Sequence, residues 1–260
     1  GSYPDFTEVN DKFRQNGNPI LPAMRDHLKL EAQTSAVIEE ELSDSYASPQ
    51  EFYLEQQHIH GLANARMIEA ARSNPRVAGY CIHALTGGDW VLGAGLLDLW
   101  REPKKEVYER TKAASQPRIL SIRTWPRNAY QGSPVKIQVV GVNDIDAVDG
   151  TLSLTVRSSD QQSVWQRQQP VKLAKGVTEL LVDSVGTADL EGTYTVHARL
   201  TDASNDPIAK NSFEIDVLAL AKPNVGPIAV LDQTGKLQRF LQEFDIEYSE
   251  FSDKTPLDVP

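Results

Sequence analysis

The sequence predicts a multidomain fold, α/β followed by all-β: a partial (β/α) barrel end, an immunoglobulin-like β-sandwich, and the start of a third α/β domain. Three observations predict it. Helical patterns, one long apolar run and glycine-rich loops alternate over the first 115 residues. From Arg118 to about Leu218 the hydrophobic period changes to two. After Pro227 a short apolar segment is again followed by helical spacing. The resulting boundaries are 1–115, 116–220 and 221–260, the last being a linker and an incomplete α/β opening.

Residues 1–45 are polar, with Met24, Leu28, Leu30, Val37, Ile38 and Leu42 at roughly helical spacing. Ser48-Pro49-Gln50-Glu51 is a helix start: Ser48 can accept from the Glu51 amide, Pro49 suits the first helical position, and Glu51 can reach back. The helix is expected to run to Arg72, burying Phe52, Leu62, Ile68 and several alanines, until Asn74-Pro75 stops it. Val77–Leu85 is a nearly continuous apolar run, the pattern of a strand buried on both faces. Two glycine-rich loops follow, and Glu102-Pro103 opens another helix from Lys104 to about Ala114. This αβα rhythm belongs to a barrel or doubly wound sheet, and one strand cannot complete either.

The middle region alternates cleanly at Val135–Val140, Leu152–Val156 and Tyr194–Leu200. About seven short strands separated by Gly, Asn, Asp and Ser turns are the mark of a sandwich. Leu190-Glu-Gly-Thr-Tyr194 resembles the corner in which a tyrosine hydroxyl ties back to the upstream backbone. At the end of the chain, Ile228–Leu231 reads as a short parallel-type strand. Leu237, Phe240, Leu241 and Phe244 read as a helix, and Ile246–Phe251 as a second strand.

Composition narrows the function. A net charge of −10 opposes nucleic-acid binding, which needs cations against phosphates. No apolar run reaches transmembrane length, so no membrane partner is expected. One cysteine, Cys81, permits no internal disulfide and no multi-cysteine zinc site. Glu55-x-x-His58 has metal-ligand spacing on one helix face, but lacks the further carboxylates of a dimetal site, so a solvated face is expected. Gly93-x-Gly95-x-x-Asp98 lacks the third glycine of a dinucleotide loop. No cofactor and no metal are expected.

The candidate ligand-binding residues are His83, Asp89 and Trp90, at and just beyond the end of the apolar run. Ligands of αβ folds gather at the carboxyl ends of strands. There an exposed Trp90 offers a flat face to a sugar ring, and His83 and Asp89 can bond hydroxyls. Each also has a structural reading: Trp90 and Trp100 as packing residues, His83 as a buried, satisfied histidine, Asp89 as a turn cap. In the sandwich, Trp125 and Trp165 are either carbohydrate contacts or core.

Val77-Ala-Gly-Tyr-Cys-Ile-His-Ala-Leu-Thr-Gly-Gly-Asp-Trp90, followed by Gly95-Leu-Leu-Asp98-x-x-Arg101-x-Pro103-Lys104, resembles the eighth strand and closing helix of glycoside hydrolase family 2 barrels. Arg72-Ser-Asn-Pro-Arg-Val-Ala-Gly-Tyr80 fits the same place. The resemblance covers about residues 45–115, with a sandwich of the kind that family often carries after the barrel. It implies a retaining glycosidase acting on β-glycosides through two glutamates at the ends of barrel strands 4 and 7. Neither glutamate has a matching position here, so no catalytic residue is assigned, and the resemblance places both upstream. The partners implied are a carbohydrate substrate and the remainder of the chain's own polypeptide; the compartment implied is periplasmic or extracellular. The alternative is a non-catalytic carbohydrate-binding module or structural spacer.

Overall fold

The computed structural model describes residues 2–17, 22–86, 95–219, 226, 228–252 and 254–255. It is a mixed α and β structure: helices first, then a region of β-sheet that includes a curled five-stranded sheet.

Helix α1 (Phe6–Gln15) starts at Asp5, whose Oδ1 accepts from the amides of Thr7 (3.1 Å) and Glu8 (3.2 Å). It buries Phe6, Val9 and Phe13. Helix α2 spans Pro22–Glu41 and α3 spans Pro49–Arg72. The predicted start of α3 holds: Ser48 Oγ accepts from the Glu51 amide at 3.3 Å, and Glu51 accepts from the Ala47 amide at 2.9 Å. Thus the return bond reaches one residue beyond the cap.

The buried face of α3 differs from the expected one. Tyr53, Gln57, Gly61, Asn64 and Ile68 point inward, while Phe52 and Leu62 are only partly covered. Polar residues succeed there because each finds a partner. Gln57 donates to the Tyr3 carbonyl (3.2 Å), and Asn64 donates to Thr111 Oγ1 (3.3 Å). Gly61 lets α3 approach α4 (Lys105–Ala114) closely: a Cβ there would lie 2.7 Å from the Glu106 carbonyl oxygen.

The strand expected at Val77–Leu85 is not formed. These residues are extended but not assigned to any strand; the nearest ladder contact is an isolated bridge between Thr86 and Leu97. A strand is held by the N–H and C=O groups of a neighbour, and no described segment runs beside this one. Its large side chains face solvent, with Val77 40 %, Tyr80 45 % and Leu85 61 % exposed.

Eight strands follow: β1 (Arg118–Trp125), β2 (Asn128–Tyr130), β3 (Val135–Asn143), β4 (Val148–Ser158), β5 (Ser163–Leu173), β6 (Gly176–Val185), β7 (Gly192–Thr201) and β8 (Pro207–Leu218). They form a three-stranded sheet, β1-β3-β6, and a five-stranded sheet, β2-β8-β7-β4-β5. Every pairing is antiparallel except β2 with β8. The two sheets share one core, in which Ile137 and Val139 from the first meet Leu152, Val196 and Ile215 from the second. Tyr194 ties the corner as its sequence context suggested, its hydroxyl donating to the Glu191 carbonyl at 3.2 Å.

Beyond the sheets, β9 (Ala229–Val230) pairs parallel with β10 (Ser249–Glu250), and α5 (Lys236–Glu243) lies between them in sequence. Val230, Leu241 and Ile246 form a small core. Asp232 holds the start of α5: its Oδ2 accepts from the Leu237 (2.6 Å) and Gln238 (3.1 Å) amides. Desolvation opposes its charge, but the N–H donors win and hold its carboxyl at about 2. Among the described residues, no helix is long and apolar enough to cross a membrane.

Candidate functional site

Of the three predicted ligand contacts, the structure describes one. Asp89 and Trp90 lie outside the described residues. His83 is exposed, which disagrees with its reading as a buried, satisfied histidine. It sits near the end of the extended segment, where the His83–Ala84 peptide is cis.

The amides of Leu96 and Leu97 both donate to the Leu85 carbonyl at 2.9 Å. Asp98 Oδ1 then accepts from the amides of Trp100 (2.8 Å) and Glu102 (2.9 Å). Asp98 therefore shapes a turn, and the glycine-rich stretch before it gains no phosphate-binding role. Trp100 is a packing residue: its ring meets Phe13 with centroids 5.1 Å apart, and its Nε1 donates to the Val9 carbonyl at 3.3 Å.

Buried Lys104 and half-buried His60 meet at the N-terminal segment. Lys104 Nζ donates to the Ser2 carbonyl at 2.9 Å, and Ser2 Oγ is 3.0 Å from His60 Nδ1. Burial pushes the Lys104 ammonium down to about 8, with Asp98 opposing the shift. Burial likewise pushes His60 down to about 4, and the Lys104 charge adds to it. Both groups bond to Ser2 and so hold the N-terminal segment in place.

The Glu55-x-x-His58 spacing does not gather a metal site. Glu55 accepts from the Tyr46 hydroxyl, whereas His58 Nδ1 lies 3.3 Å from Glu106 and from an Arg110 nitrogen. Among the described residues, no group of three or more His, Cys, Asp or Glu is placed to hold a metal ion.

Trp125 and Trp165 separate cleanly. Trp165 packs against the shared core of the sheets. Trp125 is 50 % exposed at the end of β1, with Lys136 Nζ 5.9 Å from its ring centroid.

A second constellation, absent from the sequence reading, joins the helices to the sheets. Arg72 at the end of α3 donates to the Ala114 carbonyl (2.6 Å) and pairs with Asp144 (2.7 Å). Arg123 on β1 donates to Ser73 Oγ at 2.6 Å. Asn211 Nδ2 on β8 donates both to Glu69 Oε1 (2.9 Å) and to the Leu120 carbonyl (2.7 Å). The Arg66 guanidinium lies 4.8 Å from the Phe213 ring centroid, and Arg127 lies 5.9 Å from the same centroid. Burial pushes the Glu69 carboxyl up to about 7, against the hydrogen bond from Asn211 and the Arg66 charge. These partners are up to 142 positions apart in the chain, so no local pattern marks them.

This order of helices, returning loop and two-sheet core recurs in solved structures. It is similar to β-D-mannosidase from Dictyoglomus thermophilum, with a TM-score of 0.53 and 17 % identity, covering 80 % of this chain and 28 % of that one. It is similar also to the exo-chitosanase CsxA of Amycolatopsis orientalis, in its complex with PNP-β-D-glucosamine. There the TM-score is 0.53 and the identity 17 %, over 66 % of this chain and 20 % of that one. The likeness is one of fold with parts of these two enzymes. This chain spans less than a third of the length of either enzyme. No protein-family model and no curated protein matches the sequence.

Proposed function

We propose that this chain is the C-terminal part of a family 2-like glycoside hydrolase that cleaves β-glycosidic bonds by a retaining mechanism with two carboxylates, neither of them in this chain. In this reading residues 1–115 are the last portion of a (β/α)8 catalytic barrel. Residues 116–220 form an immunoglobulin-like β-sandwich, and 221–260 open a further α/β domain. His83, Asp89 and Trp90 form one wall of the sugar cleft.

The observation that carries the proposal is the shared arrangement with a β-D-mannosidase over 80 % of this chain. An independent physical observation supports it. The apolar run Val77–Leu85 and the Ile59 and Met67 side chains of α3 (52 % and 64 % exposed) leave large apolar groups in water. Such surface is normally covered by a partner. A neighbouring barrel strand beside 77–85, with α3 packed outside it, covers both.

The test is hydrolysis of a panel of chromogenic β-glycosides by this chain and by the gene product extended upstream through a whole barrel. Activity in the extended protein alone is the expected result, and the best substrate names the sugar. Hydrolysis by the isolated chain, or silence from a folded full-length barrel, overturns the proposal.

The junction favours a second reading for the sandwich itself. The Arg72–Asp144, Arg123–Ser73 and Asn211–Glu69 bonds fix it against α3, which suits a spacer that sets domain geometry rather than an independent carbohydrate-binding module.

A further inference from the structure

At the junction of α3, α4, β1 and β8 lies a groove of about 650 Å³, the size of a small-molecule site. Small residues are part of its lining, among them Ala65, Ala113 and Ala209. Its charged lining is Arg110, Arg118, Arg199 and Lys210 against one carboxyl, Glu69, and its polar residues are Asn211 and Gln116. In a chain of net charge −10, four cations to one acid is a local reversal of sign.

Three of those cations are not neutralised. Arg110 bonds to Glu106 at 2.7 Å. Arg118, in contrast, donates only to neutral oxygens, Asn143 Oδ1 (3.3 Å) and the Asp146 carbonyl (2.9 Å). Arg199 reaches just the Asn205 carbonyl, at 3.5 Å. Among the described residues, no ion pair includes Arg118, Arg199 or Lys210.

Arg199 and Lys210 are also directly opposite each other in the antiparallel β7–β8 register. Like charges at such a pair destabilise a sheet. The same cross-strand row continues to Ser153 and Gln168, which carry no charge to offset them. Glu69 does not serve either: it is committed to Asn211, and burial leaves its carboxyl substantially protonated near neutral pH.

We propose that this groove binds a small organic oxyanion, a carboxylate or a sulfate or phosphate ester. The anionic group meets Arg118, Arg199 and Lys210, and the body of the ligand lies against the alanines. Guanidinium and ammonium donors supply charge-assisted bonds to such a group. The site is distinct from the His83 wall and does not depend on hydrolysis.

Calorimetric titration of the 260-residue chain with glucuronate, glucose 6-phosphate, glucose 6-sulfate and glucose tests the proposal. At least one of the three anions is expected to bind saturably, glucose about tenfold more weakly or not at all, and which anion wins identifies the group recognised. The double variant Arg199→Gln/Lys210→Gln is expected to weaken that binding by about tenfold or more, with no loss of thermal midpoint because a like-charge pair is removed. Should the double variant unfold, each single variant is read in the same way. The proposal is overturned by the failure of all three anions to bind, by equal affinity for glucose, or by undiminished affinity in folded variants. None of these outcomes bears on whether the extended protein hydrolyses β-glycosides.

Discussion

Asn211 on β8 donates to Glu69 on α3 across 2.9 Å, a bond that spans 142 positions of sequence and pins the helical region to the sheets. Together with Ser121 it supplies a donor to a carboxyl that is largely withdrawn from water.

The pH dependence of that bond has a definite sign. The Glu69 carboxyl is pushed from 4.5 to about 7 in the folded state, chiefly by burial. Below pH 4.5 it is protonated whether folded or not, so it costs nothing. As pH rises through 4.5 to 7 the unfolded chain ionises first, and stability falls; above 7 the whole cost is present. Glu69→Gln keeps the acceptor for Asn211 and removes the charge. Urea unfolding is expected to show it stabilised at pH 8 by roughly 2 kcal/mol and nearly neutral at pH 4.5. Equal effects at the two pH values would contradict the assignment.

Gly61 is a steric requirement. An alanine Cβ would meet the Glu106 carbonyl oxygen at 2.7 Å, and that oxygen belongs to the backbone of α4. Although alanine favours helix by about 1 kcal/mol, separating the two helices costs about 1–3 kcal/mol. Gly61→Ala is therefore expected to lower the thermal midpoint, whereas Ala63→Gly on the exposed face costs only helix propensity.

Trp125 and Trp165 are expected to behave oppositely. Trp165→Ala removes a ring packed on the sheet core and should cost roughly 2–3 kcal/mol. Trp125→Ala removes a half-exposed ring and should change stability by about 0.5 kcal/mol or less. Loss of saccharide affinity in a stable Trp125→Ala protein would instead favour the binding-module reading of residues 116–220.

Cys81 reports on the cover of the apolar run. Its thiol is exposed and free, so a disulfide reagent should label it rapidly in this chain. In a polypeptide extended upstream through a full barrel, labelling is expected to slow by about 100-fold, because a strand in mid-sheet opens rarely. Equal rates would remove the support that the exposed run lends to the proposed barrel.

What the sequence revealed follows from where each signal resides. Helix α3 was legible at both ends because Ser48, Pro49, Glu51 and the Asn74-Pro75 stop act within a few residues of each other. The strands of the two sheets were legible because alternation is local, and Tyr194 because its partner is three residues away. The inward face of α3 was not, because hydropathy cannot register Gln57 and Asn64, whose bonds go to Tyr3 and Thr111. Val77–Leu85 carries the composition of a strand, but composition does not supply the neighbour that a ladder requires. The groove cations were equally hidden: only the β7–β8 register brings Arg199 opposite Lys210.

The linker at Gln116-Pro117 is where hydrophobic periodicity changes, and it invites cutting the protein there to study the sheets alone. The polar junction makes that cut unsound. Excising 116–219 would strand Arg123 without Ser73, half of the Asn211 amide's acceptors, and the Phe213 face without Arg66. A faithful excerpt carries α3 and α4 and also the N-terminal segment, whose Ser2, Tyr3 and Val9 carbonyls accept from Lys104, Gln57 and Trp100, so the unit that can be handled separately is set by side chains reaching across the boundary.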